Sequence, residues 1–198
     1  MPNLSYERKA GGIVAGIDEA GRGPWAGPVV AGAVILCEKK IPRGIDDSKK
    51  LTLADREFLY DKITTRCHWG VGIASVEEID THNILQATKL AMVRAFEALG
   101  LMPDAALVDG NQPPALPCKV HALIGGDGLS LSIGAASIIA KVTRDRMMCE
   151  LARAHPGYGW ERNAGYGTAQ HQKALASLGL TIHHRRSYAP IKALLEAA

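Results

Sequence analysis

The chain has 198 residues, 47% of them hydrophobic and 22% charged, a composition that suits one globular domain with room for a core and excludes a disordered or collagen-like chain. Its net charge of +3 is too small to define a polyanion partner, so the placement of basic residues matters more than their excess. Four cysteines, at 37, 67, 118 and 149, make no CxxC pair, which argues against a zinc ribbon or a disulfide framework, and no apolar run approaches the ~20 residues of a membrane span.

The opening MPNLSYERKAGG lacks the apolar stretch of a secretory leader, so the expectation is a cytoplasmic chain away from membranes, by default a monomer. Gly11 to Ile17 and Val29 to Leu36 read as neighbouring strands joined by a short link. "LTLADREFLYDKITTR" predicts a helix that Thr52 caps, with Asp55 in its first turn. "HWGVGIAS" is a third strand, after which Ser75 and Glu78 have capping-box spacing for a short helical turn. A second helix, from Ile84 to Leu99, stops at Gly100.

"AALVDG" and "KVHALIGGDG" then read as buried-type strands ending in Asp109 and Asp127. On a long helix that Pro156 ends, Ile133, Ala136, Ala140, Met147 and Leu151 form the core-facing stripe. Ser137, Lys141 and Arg144 share the opposite face. Helices from Thr168 to Leu178 and from Pro190 onward complete a chain whose alternation of strands and helices predicts an α/β domain with a mixed sheet. One domain is expected, with an α/β core over about 12–155 and a C-terminal helical segment over 156–198.

Three apolar runs thus finish in carboxylates: Asp18-Glu19, Asp109 and Asp127. Sheets bring the ends of distant strands together, and convergent carboxylates repel unless a hard divalent cation joins them. With no His-rich or Cys-rich partner set, magnesium or manganese suits the site better than zinc. Asp109 or Asp127 taken singly is equally well a turn residue, and adjacent side chains such as Asp18 and Glu19 point to opposite faces of a regular strand. Gly21-Arg22-Gly23 is neither a P-loop nor a dinucleotide fingerprint, but its backbone N–H groups can approach a ligand closely. Asp47-Ser48-Lys49-Lys50 precedes a capped helix, a reasonable place for a phosphate, and "HHRRSY" with "GYGT" could set an aromatic ring among cations.

"DEAGRGP", "DSKKL", "VDG", "AASIIAKVTRD", "GYGT" and "HHRRSY", in this order and spacing, resemble bacterial ribonuclease HII over about residues 12 to 192. The resemblance implies a ribonuclease H-like fold, a central mixed sheet flanked by helices with a C-terminal helical extension. It implies hydrolysis of RNA in RNA–DNA hybrids, and cutting 5′ of a single ribonucleotide in duplex DNA to leave a 3′-hydroxyl and a 5′-phosphate. Asp18, Glu19, Asp109 and Asp127 fall on the family's metal-binding acids, and Gly21, Arg22, Gly23 and Tyr166 on its junction-recognising residues. Two divalent ions, Mn2+ or Mg2+, and an in-line displacement are then expected, with Lys49, Lys50, Lys141, Arg144 and Arg185 neutralising backbone phosphates. The rival expectations are another metal nuclease of the same fold and a non-catalytic hybrid-binding protein.

Overall fold

The computed structural model describes residues 1–196; positions 197 and 198, the end of the expected C-terminal helical segment, lie outside the described residues. Five strands form one mixed sheet: β1 (Val14–Ala20), β2 (Val29–Ile35), β3 (His68–Ala74), β4 (Ala105–Asp109) and β5 (Lys119–Leu123), in the order β3-β2-β1-β4-β5. β1 and β2 pair antiparallel across their short link, β3 adds antiparallel to β2 after a connection that contains α2, and β4 and β5 add in parallel on the far side of β1. The helices are α1 (Ser5–Ala10), α2 (Leu53–Arg66), α3 (Val76–Glu97), α4 (Leu131–Ala154), α5 (Trp160–Asn163), α6 (Ala169–Leu178) and α7 (Ala189–Glu196).

Alternation along β1 and β2 sorts their side chains between two helical layers. Ala15, Ile17, Ala31 and Ala33 pack with Ala87, Ala91 and Phe96 of α3. Val34 belongs to the opposite layer, with Ala135 and Ile139 of α4 and Leu59 and Ile63 of α2. Two glycines bring α4 unusually close to the sheet. A Cβ on Gly16 would lie 2.1 Å from the Ser132 carbonyl carbon, and one on Gly32 would lie 2.5 Å from the Ala136 oxygen. Any side chain there would lift the helix off the strands.

Local signals end most elements where the sequence places them. Thr52 accepts from the Asp55 N–H, and Ser75 and Glu78 form a complete capping box. The short turn and the helix from Ile84 are two segments of α3, separated at Asn83, whose φ is 68°. The Asn83 Oδ1 accepts from Leu85 and Gln86 and so caps the second segment.

Three readings need correction. β1 runs to Ala20, so Asp18 and Glu19 lie within the strand and not beyond its end. β5 is a largely exposed edge strand that stops at Leu123, and Asp127 sits in the single 3-10 turn Gly126–Gly128 that follows. On α4 every residue from Ser132 to Ala140 is buried, because sheet and neighbouring segments enclose that half of the helix; further on Met148 is buried, whereas Met147 and Leu151 are half-buried. The N-terminal α1, for which no expectation stood, sends Glu7 across to accept from the Ser132 N–H and both the Ser130 and Ser132 hydroxyls, which anchors the start of α4.

Candidate active site

Asp18 lies two residues beyond Gly16, so it points to the same face of the sheet, the one α4 covers. Asp109 is the last residue of β4 and Asp127 belongs to the turn between β5 and α4. One carboxylate oxygen from each of the three lies within 4.8 Å of the others. Backbone amides hold this trio in place: Glu19 N–H donates to Asp18 Oδ1 at 2.7 Å, Gly126 N–H to Asp109 Oδ1 at 2.7 Å, and Gly128 N–H to Asp127 Oδ1 at 2.9 Å. The Ser137 hydroxyl favours the ionised form of Asp18 and lies 2.8 Å from the Ser48 hydroxyl, which ties the DSKKL loop to α4. Gly134 completes the fit, since a Cβ there would sit 3.0 Å from the Asp127 carbonyl oxygen.

The electrostatics of the trio are unfavourable as they stand. Burial raises the Asp18 carboxyl well above the usual range, and Glu19 and Asp109 push it the same way. Burial also raises Asp127, helped by Asp47 and Asp109. Burial alone would lower the Lys49 ammonium, yet Asp127, Asp18, Asp47 and Asp109 outweigh it and raise that group. Lys49 Nζ stands 3.6 Å from Asp127, too little positive charge for three acids. An all-oxygen donor set of this charge fits a hard divalent cation.

Glu19 is the fourth expected acid, and strand alternation keeps it out of the trio. It faces Arg22 at 3.4 Å, and burial raises its carboxyl against the pull of that guanidinium. Beside it opens a cleft of about 440 Å³, lined by Gly21, Arg22, Gly23, Lys49, Lys141 and Tyr166 among others. Tyr166 is 49% exposed at the rim, and its Cε1 would be 3.3 Å from a Cβ on Gly23, so ring and loop are in contact. Lys50 is exposed and answers Asp46 and Asp47 at 3.8 and 3.9 Å; Lys141 pairs with Asp145 at 2.7 Å. Arg56, also on the cleft, donates to the Ser48 and Leu51 carbonyls. Nothing in its sequence context separates it from an ordinary exposed helical arginine.

Two of the five basic residues expected on phosphates are placed otherwise. Arg144 is 1% exposed and donates to the carbonyls of Pro28, Ala164 and Ala26. Arg185 is fully buried and donates to the carbonyls of Gly21, Arg22, Gly27 and Pro28 and to the Tyr188 hydroxyl. Guanidiniums whose donors face inward in this way hold backbone, not phosphate. Close by, His171 Nδ1 meets the Tyr166 carbonyl at 3.0 Å, and its Nε2 meets His184 Nε2 and Trp160 Nε1, each at 3.1 Å. The sequence shows the "HHRRSY" cluster but not that its middle residues point into the protein.

A family model described as "Ribonuclease HII" matches residues 15–190. The chain belongs to the ribonuclease HII family. As such it is a hydrolase, an endoribonuclease acting on RNA–DNA hybrids. The ribonuclease HII of Paramagnetospirillum magneticum is 61% identical over 195 residues, covering 96% of this chain and 97% of that one. The ribonuclease HII of Wolbachia pipientis wMel is 53% identical, with 98% of both chains covered. Among solved structures, the ribonuclease H2 of Pyrococcus horikoshii OT3 superimposes with a TM-score of 0.79 at 30% identity, over 93% of this chain and 97% of that one. Bst-RNase HIII, solved in complex with Mn2+, shares the fold with a TM-score of 0.78 at 20% identity, over 100% of this chain and 74% of that one. The ribonuclease HII fold accounts for the mixed sheet and for the place of the acids at its centre.

Proposed function

We propose that this member of the ribonuclease HII family cuts on the 5′ side of single ribonucleotides in duplex DNA as well as within longer hybrids, with Asp18, Asp109 and Asp127 as metal ligands and Glu19 beside them. The observation that supports this is the convergence of three carboxylates within 4.8 Å, short of positive charge, at the wall of a cleft that the Gly-Arg-Gly loop and Tyr166 also line. Two Mg2+ or Mn2+ ions would supply Lewis-acid stabilisation of the scissile phosphate and a lowered pKa for the attacking water. Asp18, Asp109 and Asp127 fix where that charge is held, and their backbone donors keep them from turning away from one another.

Discrimination of RNA from DNA at one nucleotide has to read its 2′-hydroxyl. N–H groups of the Gly21–Gly23 loop can reach a sugar closely, and the exposed Tyr166 ring suits stacking on the neighbouring one, where it would disfavour a second 2′-hydroxyl. Lys49, Lys50 and Lys141 are the cations left to meet phosphates, so affinity falls as salt rises. Arg22 is the further candidate at the loop, with 52% of its side chain exposed. The test is a labelled duplex with one ribonucleotide, incubated with Mg2+, with Mn2+ and with a chelator. A single metal-dependent cut 5′ of the ribonucleotide supports the proposal. Cutting of long hybrid alone would remove the roles given to Tyr166 and the loop.

A further inference from the structure

The buried guanidinium of Arg185 packs against the Gly-Arg-Gly loop and is not among the residues that line the cleft. Nη2 donates to the Gly21 carbonyl at 2.6 Å and Nη1 to the Arg22 carbonyl at 3.0 Å. The Tyr188 hydroxyl donates to that same Arg22 oxygen and itself accepts from Arg185 Nη1 at 2.9 Å. A trans peptide unit is planar, with its C=O and N–H antiparallel, and no peptide bond among the described residues is cis. The Gly21 carbonyl shares a peptide with the Arg22 N–H, and the Arg22 carbonyl shares one with the Gly23 N–H. Pulling both carbonyls toward Arg185 therefore turns both N–H groups the opposite way, toward the cleft.

We infer that Arg185, with Tyr188, is the positioning residue that aims the Arg22 and Gly23 N–H groups as a pair of donors at the sugar of the ribonucleotide. This rests on the junction reading proposed above and extends it from the loop to what orients the loop. A planar fork of five donors is the chemistry the position requires. It bonds two successive carbonyls of one loop while its other donors reach Gly27 and Pro28, at the entry to β2. The loop is thereby fixed to the sheet and not left to its own two glycines. Gly21 has a φ of 98°, and a Cβ there would fall 2.0 Å from Arg144 Nε, so the neighbouring arginine packs against the loop as well. Arg144 also bonds the Ala164 carbonyl, two residues before Tyr166, and shares the Pro28 carbonyl with Arg185. Loop and tyrosine thus have one frame in common, residues 26–28.

Affinity for two duplexes tests the inference, one all-DNA and one with a single ribonucleotide, both measured in an Asp109→Asn background that cannot cut. The parent should prefer the ribonucleotide duplex. Arg185→Lys keeps the charge but cannot fork across both carbonyls, and should lower that preference about tenfold while all-DNA affinity stays within about twofold. Tyr188→Phe removes one hydroxyl from a half-buried ring and should lower the preference about threefold, which decides the matter should the lysine variant not fold. An unchanged preference in the folded variants, or equal weakening on both duplexes, would overturn the role of Arg185. A parent without any preference would instead overturn the junction reading itself, and this inference with it.

Discussion

The carboxylate trio and the arginine–histidine region around Arg185 are both polar and largely enclosed, yet they are opposites in completeness. Around Asp18, Asp109 and Asp127, like charges face one another and burial pushes two of the three toward protonation. Around Arg185 every guanidinium nitrogen has a carbonyl or hydroxyl acceptor, and the His171–His184–Trp160 contacts pair the ring nitrogens. Unpaired buried charge costs several kcal/mol in effective terms, whereas a satisfied buried network rigidifies what surrounds it. One region is held under repulsion until a cation and substrate complete it. The other is already complete and acts as the support that keeps the reading loop still.

The largest effect should come from breaking the incomplete region. Asp18→Asn and Asp109→Asn should each lower cleavage by about 10³-fold or more, about 4 kcal/mol of barrier, while binding of the hybrid survives. Retained turnover would remove the metal assignment. The same Asp18→Asn change should make the metal-free protein more stable at neutral pH, by about 1 kcal/mol or about 2–4 °C in melting temperature, because it deletes a repelled buried charge. No such gain is expected from substitutions at Arg185, where the charge is matched.

Divalent cation provides the next test. At about a hundred times its dissociation constant, Mg2+ or Mn2+ should stabilise the protein by about 2.7 kcal/mol, about 5–10 °C by thermal melt. Asp18→Asn should lose most of that shift and Arg185→Lys should keep it. If both variants lose it equally, the two regions are not the separate units described here. Tyr166→Ala should then cost about tenfold to a hundredfold in cutting at a single ribonucleotide, the range for one stacked aromatic, with little change in melting temperature since the ring is half exposed. An unchanged rate on that substrate would refute its role.

The two regions also differ in how far the sequence discloses them. Asp18, Asp109 and Asp127 end or follow apolar runs, and three such runs in one α/β chain are enough to suggest convergence. Glu19 lies next to Asp18 on β1 and outside the 4.8 Å group, a placement that strand periodicity anticipates once β1 is known to extend past it. The complete region is opaque by comparison. Arg144 and Arg185 look like surface cations in "AASIIAKVTRD" and "HHRRSY", because composition and helical period do not say that carbonyls of residues 21–28 come within reach of them. Those contacts span sequence separations of 116 and 164 residues, so only the folded chain discloses them. Likewise Gly134 and Gly16 are unremarkable in the sequence, and their reason is the closeness of α4 to its neighbours.

The smallest effect concerns pH, and it separates the regions by sign. His184 is lowered to about 4, chiefly by burial and then by His171, with His183 and His155 adding to it. An unfolded histidine takes its proton near pH 6.5, so between about 4 and 6.5 the unfolded chain binds more protons than the folded one. Stability contributed there is present above pH 6.5 and lost as pH falls through that window. The acids work the other way. Asp18, Glu19 and Asp127 are raised in the folded state, which therefore binds more protons above pH 4, and stability is lost as pH rises. Metal-free protein should accordingly melt highest at mildly acidic pH and lose stability on both sides. Divalent cation replaces the protons on the acids and touches no histidine, so melting curves should show the alkaline side recovered and the acid side unchanged. Recovery on both sides would mean that the histidine network and the carboxylates titrate as one coupled unit, and the contrast between a complete and an incomplete region would fail.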